Sequence, residues 1–434
     1  MQSTGEDQTT QIAEVQYLMG KIESSNLPSQ LKEQANVMLK RVRRMARQGR
    51  ASNEYEYVAR YIDWTLRVPW YRITKDNLDL PIVKGFMDEL HYGTEGVKQI
   101  ILEYLSVMHI KMAREKKLSF QPPVLLFVGD HGLGKTSLAK AISYALGRNF
   151  VRIPMGALSA GSELRGIPKG NNDAEPGQII KSIVRSASLN PVILLDEIDK
   201  VSGIAAEHHN FMAILLEILD PQQNTSFRDL FIDFPIDLSH AFFICTANTT
   251  KTITDALLDR LEIISFNEYK PEEKIIIGKD YLLPRILKYT KMTSNEIQIS
   301  ESAWEPIVKN YAKEAGVRNL EKTIDRIIRK AALRIVARKA QSVTITPENL
   351  ESYMDEIVPI ASGSTTPESI PSFNQTIPAP ETVDQTAVQP SEEQGIAEEV
   401  QSPQKIEPNE LSPSNDSSTG ANIQQHPSSE SVGL

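Results

Sequence analysis

The sequence predicts a three-layer α/β domain built on a parallel sheet, followed by a small all-helical domain. Three observations predict it. Short apolar runs that read as strands alternate with amphipathic helices between Val124 and Phe266, the pattern of parallel strands joined by helical crossovers. Two of those runs end in polar motifs, at the strand ends where an open α/β sheet receives its ligand. From Pro271 to Ala340 the strand-like runs stop and helical periodicity continues alone.

The five expected strands are Val124–Val128, Phe150–Ile153, Val192–Asp196, Ala241–Thr246 and Ile263–Phe266. The first leads into Gly129-Asp130-His131-Gly132-Leu133-Gly134-Lys135-Thr136, which fits G-x-x-x-x-G-K-[ST] at every fixed position. Gly129 and Gly134 let the loop turn so that successive backbone N–H groups, from Asp130 through Ser137, point at phosphate oxygens. The helix expected over Ser137–Leu146 presents the positive end of its dipole to the same anion. Lys135 would reach the β- and γ-phosphates, and the Thr136 hydroxyl would ligate Mg²⁺. About sixty residues on, Pro191 to Asp199 is a buried strand ending in two carboxylates. Asp196 would hold Mg²⁺ through water, and Glu197 would polarise an attacking water as a general base. The two motifs together imply ATP and Mg²⁺ as ligands.

Before the sheet, Ala13 to Arg47 is strongly helical, with a break at Asn26-Leu27-Pro28. Leu31, Ala35, Met38, Leu39 and Val42 form one apolar stripe at helical spacing. Lys40, Arg41, Arg43, Arg44, Arg47 and Arg50 make a basic cluster without interleaved aromatics, so a solvated helix face is expected there and nucleic acid is not. A further amphipathic helix spans Tyr55 to Trp70, whose Trp64 and Trp70 are expected to pack a small helical core. Another helix, Val97 to Lys116, precedes the first strand. After the sheet, helices are expected over Ile275–Tyr289, Ser302–Ala315 and Asn319–Lys339, with Ser300 and Gly316 as start and stop signals. Val343–Ile345 reads as a short strand and Thr346-Pro347-Glu348 as the start of a last helical turn. Beyond Pro359 the chain is rich in Pro, Ser, Thr, Gln and Glu with a single aromatic, Phe373, a composition expected to stay disordered.

Composition sets bounds. A chain of 434 residues, 40% hydrophobic and 24% charged, can hold two or three globular domains. Its one cysteine, Cys245, lies in an apolar run and excludes an intramolecular disulfide; a reducing, cytoplasmic compartment fits. No apolar run approaches the roughly 20 residues of a membrane span, and no targeting leader is visible, so no membrane association is expected. The net charge of -9 belongs to the tail: eleven acids and one lysine from Ala361 to Leu434 carry -10, leaving the rest near +1.

A phosphate-loop domain followed by a helical lid resembles the AAA+ ATPases, and further stretches narrow the resemblance. Tyr61-Ile62-Asp63-Trp64, Val68-Pro69-Trp70, His91-Tyr92-Gly93 and Ile101-Leu102-Glu103-Tyr104-Leu105 are similar to the neck and linker of Lon proteases. Leu195 to Lys200, Leu215 to Pro221, Leu257 to Arg260 and Glu314 to Glu321 resemble the same family's ATPase and lid. The resemblance covers about residues 13–357. With the composition of the two ends, it gives a division into 1–12 (disordered), 13–82 (helical neck), 83–267 (large α/β ATPase domain), 268–358 (helical lid) and 359–434 (disordered acidic tail).

The resemblance also implies roles. Asn248 corresponds to the polar residue that senses the γ-phosphate, and Arg260 to the arginine finger offered to a neighbouring subunit. Arg318 corresponds to the second sensor, carried by the lid, and His91 and Tyr92 to the segment beside the adenine. A ring hexamer acting on protein substrates is implied, serving a separate protease or a full-length Lon subunit. Three departures from the family accompany the matches. No stretch of these residues resembles the Ser–Lys peptidase site, so peptidase activity is not expected from this chain. Nor does any resemble the amino-terminal substrate-binding domain. The aromatic–aliphatic pair of the family's pore loop falls on Asn171 and Asn172, between Leu164-Arg165-Gly166 and Pro176-Gly177. Glu207-His208-His209-Asn210 is read as an exposed or pore-facing loop rather than a metal site.

Overall fold

The computed structural model describes residues 3–48, 52–115, 121–201, 205–337 and 340–354. The acidic stretch 359–434 lies outside the described residues. Three helices open the chain: α1 (Ser3–Ser24), α2 (Ser29–Ala46) and α3 (Ser52–Arg67). The break expected at Asn26-Leu27-Pro28 is present, and Leu31, Ala35, Leu39 and Val42 are buried as one stripe. The expectation of disorder over 1–12 is corrected: helix α1 starts at Ser3, and Ile12 packs partly against the core that also holds Val15 and Ile22. Apolar residues recurring at helical spacing from Ile12 carry the helix outward through its polar first turns.

Helix α4 (Leu80–Leu90), which the sequence reading missed, is started by Asp79, whose side chain accepts from the Ile82 N–H at 3.2 Å. The expected domain boundary at 82/83 therefore falls inside a helix. Helix α5 (Glu95–Glu115) follows. The large domain then runs β1 (Leu125–Val128), α6 (Lys135–Leu146), β2 (Phe150–Pro154), α7 (Ser162–Arg165), α8 (Gln178–Ser186), β3 (Val192–Asp196), α9 (Ala205–Leu219), β4 (Phe227–Arg228), β5 (Pro235–Ile236), β6 (Phe242–Ala247), α10 (Asp255–Leu258) and β7 (Glu262–Ser265). All five expected strands form, in the order β2-β3-β6-β1-β7. The pairings β1–β6, β1–β7, β2–β3 and β3–β6 are all parallel. The central strands β3 and β6 are buried at every residue, as expected of a sheet covered on both faces. Cys245, at the middle of β6, is wholly buried, and burial pushes its thiol up to about 12.

One correction concerns Glu207 to Asn210. These residues belong to helix α9 rather than a loop, because the apolar run from Phe211 to Leu219 extends its periodicity backwards.

The lid comprises α11 (Pro271–Ile276), a π-helical turn (Ile277–Leu282), α12 (Leu283–Thr290), β8 (Ile297–Ile299), α13 (Glu301–Tyr311), α14 (Arg318–Val336), β9 (Val343–Ile345) and α15 (Glu351–Met354). Strand β9 pairs with β8 in parallel. Helix α13 stops at Tyr311, before the expected Ala315, which frees Gly316 from a capping role.

Apolar packing explains how these parts meet. One cluster joins the opening helices to one face of the sheet, with Trp70 edge-on to Phe234 at 5.8 Å and the Tyr61 hydroxyl donating to the Ile232 carbonyl at 3.1 Å. Trp70 thus packs against the large domain, while Trp64 lies against the same cluster, to which the opening helices contribute. A second cluster holds α4, α5 and α6 on the other face, and a third fills the lid. Each fully buried Leu or Ile in such clusters contributes ~1.5–3 kcal/mol.

Candidate active site

The carboxyl ends of β1, β3 and β6 open into one cleft of about 310 Å³ between the sheet and the lid, at the lower end of the ~300–1,000 Å³ of small-molecule sites. Its floor is the loop after β1. Gly132 (φ +83) and Gly134 (φ +88) sit in the left-handed region, and a Cβ on Gly134 would lie 2.7 Å from His91 Nε2. Only glycine fits there, and the backbone is free to approach a ligand. Helix α6 begins at Lys135, two residues earlier than expected, so its first N–H groups face the cleft with Thr136 and Ser137. The Lys135 ammonium donates to the carbonyls of Gly129 and of Asp130 (3.1 Å) and to Asn248 Oδ1 (3.3 Å). Burial draws its pKa below the ordinary lysine range, while Asp199 and Asp196 pull the other way. Gly129 and Asp130 enter through those carbonyls and do not line the cleft; the Asp130 side chain is exposed.

The two carboxylates stand at the end of β3. Asp196 is buried. Its Oδ2 accepts from Arg152 Nε and Nη2, each at 2.6 Å, and its Oδ1 from the Thr246 hydroxyl at 2.5 Å. Glu197 has φ 59° and its carboxylate turns into the cleft, where Oε1 lies 3.1 Å from Lys200 Nζ and 3.6 Å from His131 Nδ1. Asn248 follows β6. Its backbone N–H donates to Asp199 Oδ2 at 3.0 Å and its Nδ2 to the same oxygen at 3.4 Å.

Side walls come from α4 and the lid. His91 ends α4, is nearly fully buried, and is pulled down to about 4 by burial and then by Lys98, so its ring is neutral at pH 7. Tyr92 stacks edge-on with Tyr281 at 6.1 Å. The Tyr269 hydroxyl donates to the Leu133 carbonyl at 3.0 Å, and Arg318 opens α14 beside Gly132. Arg260 does not line this cleft. It is held by Asp220 Oδ2 at 2.9 Å and by the Ala256 carbonyl at 2.6 Å, beside a separate open groove of about 900 Å³ with Gln121, Asp259 and Glu262.

The structure therefore gathers His91, Tyr92, His131, Gly132, Leu133, Gly134, Lys135, Thr136, Ser137, Asp196, Glu197, Asn248 and Arg318 around one cleft and leaves Arg260 outside it. Sequence reasoning missed Arg152, Thr246, Asp199 and Lys200. Arg152 carried a signal: it is a charged residue inside an otherwise apolar strand.

Known proteins are similar to this chain over the same stretches. Residues 125–269 match the model of the ATPase family associated with various cellular activities (AAA). Residues 288–343 match the Lon protease AAA+ ATPase lid domain. This chain contains a Lon-like AAA+ module. It is 41% identical over 347 residues to Lon protease 2 of Thermus thermophilus, covering 79% of this chain and 42% of that protein. It is likewise 41% identical over 348 residues to Lon protease 1 of Bacillus subtilis, covering 80% and 44%. The mitochondrial Lon protease homolog of Rattus norvegicus is 38% identical over 308 residues, covering 71% and 32%. The chain thus spans less than half the length of these relatives. ATP and Mg²⁺ use is general to AAA ATPases. Among the described residues, no helix is long and apolar enough to cross a membrane.

Proposed function

We propose that this Lon-like module binds and hydrolyses ATP as part of a ring, a homo-hexamer being the simplest, and uses the cycle to remodel protein substrates. Cleavage of peptide bonds is assigned to another chain, either a separate protease or a full-length Lon subunit. The observation that carries this reading is the convergence of Lys135, Thr136, Asp196, Glu197 and Asn248 with the lid's Arg318 around one cleft.

The donor set fits the group. The loop amides, the α6 N-terminus and Lys135 suit a triphosphate, and the hydroxyl of Thr136 with the carboxylate of Asp196 offers the hard oxygens Mg²⁺ prefers. His91 and Tyr92 stand where they would flank a base. Magnesium-bound ATP supplies the transferable phosphoryl group and its leaving group. Glu197 accepts a proton from water once its carboxylate turns from Lys200. Asn248, fixed by Asp199, orients that water. Arg318 ties lid position to the occupied cleft. Arg260, which does not line its own chain's cleft, would serve a neighbouring copy.

Steady-state ATP hydrolysis by the chain, with and without an unfolded protein, tests the reading against Glu197→Gln. Turnover lost in Glu197→Gln and raised by unfolded protein supports it. Tight ATP binding without turnover would instead favour a nucleotide-locked assembly or adaptor protein, such as a modulating subunit of full-length Lon. One observation favours that second reading: Asn172 Oδ1 accepts from the Tyr57 hydroxyl at 2.8 Å, so the pore-loop amide is engaged by α3.

A further inference from the structure

Between the two acids of the cleft sits one hydroxyl to which neither the sequence patterns nor the comparisons assign a role. Thr246 lies on β6, beside β3 in the sheet. The parallel register Leu194↔Ile244 and Leu195↔Cys245 carries on to set it against Asp196. Its side chain is fully buried. Its Oγ1 donates to Asp196 Oδ1 at 2.5 Å and accepts the Glu197 backbone N–H at 2.8 Å. A hydroxyl has one proton and two lone pairs. Giving the proton to a carboxylate leaves a lone pair for the amide, so the two bonds support each other.

Glu197 needs such a hold. Strand β3 ends at Asp196, and Glu197 adopts φ 59° and ψ 54°, a left-handed conformation that a residue with a Cβ resists. The N–H of that strained residue points at Thr246. Take the acceptor away and the peptide is free to relax toward extended or right-handed backbone, swinging the carboxylate out of the cleft.

We infer that Thr246 is a positioning residue for hydrolysis: its hydroxyl locks Asp196 and Glu197 in fixed relation by holding the left-handed backbone at Glu197. This rests on the reading of the cleft as an ATP-hydrolysing site. Thr246 acts through the two acids, to which its two hydrogen bonds run.

The test compares Thr246→Val, Thr246→Ala and Thr246→Ser in the full chain, each checked for folding by its melting temperature. Valine keeps the shape and removes both bonds. Alanine removes both bonds and leaves a small space, and serves if valine fails to fold. Serine keeps the hydroxyl. Turnover in the valine variant is expected to fall about tenfold or more while ATP affinity stays within about threefold, and serine is expected to restore turnover. Hydrogen exchange at the Glu197 amide is read alongside and is expected to accelerate in the valine and alanine variants only. Wild-type turnover in the valine or alanine variant overturns the inference. So does a parallel loss of turnover, ATP affinity and melting temperature, or unchanged exchange at Glu197. If the wild-type chain itself hydrolyses no ATP, the hydrolytic reading fails by that result. The exchange measurement then still decides whether Thr246 holds Glu197.

Discussion

The backbone N–H of Val317 donates to the carbonyl of Gly132 at 3.0 Å. The lid thus grips the phosphate loop main chain to main chain, across a contact that admits no side chain. A Cβ on Gly316 would lie 2.4 Å from the Gly132 carbonyl carbon. With Tyr269 bonded to Leu133 and Arg318 against Gly132, any shift of the loop must move the start of α14. Sensing of nucleotide by the lid needs a link of this kind.

Gly316→Ala is therefore expected to push the lid off the loop. Overpacking of this sort costs ~1–3 kcal/mol. The lid has its own apolar core, so the cost should appear at the contact. Titration calorimetry should show ATP binding about tenfold weaker or more, which is ~1.4 kcal/mol. An affinity unchanged by the substitution would show that the contact does not couple lid to cleft.

Asp199 is the hidden support of Asn248. Its Oδ2 accepts from the Asn248 N–H and Nδ2 and from the Thr249 N–H. Asp199→Ala should leave Asn248 held only by its Oδ1 contact with Lys135 and less fixed in direction. Turnover is expected to fall about 10- to 100-fold, or roughly 1.4–2.7 kcal/mol in the barrier, with KM for ATP changing far less. Equal effects on KM and kcat would refute a role in orienting water.

Two buried groups set opposing pH responses. His91 is pulled from 6.5 down to about 4, so the folded state resists its protonation. Stability present above pH 6.5 is lost as pH falls toward 4, by roughly 3 kcal/mol. Asp229 is pushed by burial from 3.8 up to about 6 although it accepts the Gly177, Phe231 and Ile232 N–H groups. Its folded state prefers the proton, so acidification from pH 6 toward 4 adds stability, again by roughly 3 kcal/mol. Relative to wild type, His91→Gln should lose less melting temperature between pH 6.5 and 4.5, and Asp229→Asn should lose more. Curves parallel to wild type would contradict both assignments.

How much of this was legible depended on the range of the interaction. The sheet was readable because β1, β3 and β6 are continuous apolar runs, and the cleft because Lys135 and Asp196–Glu197 sit in motifs whose spacing is local. Helix α4 was not, because its eleven residues carry Gly85, which weakens the helical signal, and packing on α6 decides it. Asp199, Thr246 and Arg152 act between chain segments, and a partner 44 to 50 residues away leaves no local pattern. Arg260 was recognised by resemblance alone; its ion pair with Asp220 shows where it rests within one chain.

Asn171 and Asn172 stand where the Lon family carries its pore-loop pair, by resemblance. The Ile167 N–H donates to the Glu175 carbonyl at 2.9 Å, closing a hairpin whose tip exposes Asn171 and Asn172. Amides are strongly hydrated and gain little by lying against a passing chain, whereas an aromatic plate gains apolar contact with any side chain. If the ATPase is intact and the tip limits grip, Asn171→Tyr combined with Asn172→Val should create or increase stimulation of ATP turnover by an unfolded protein. Tyr57→Phe, which removes the bond to Asn172 without adding grip, should leave that stimulation as it is. A double variant as indifferent to unfolded protein as the wild type would mean that the tip does not limit threading. The loop's polar character would then point to docking of a folded partner.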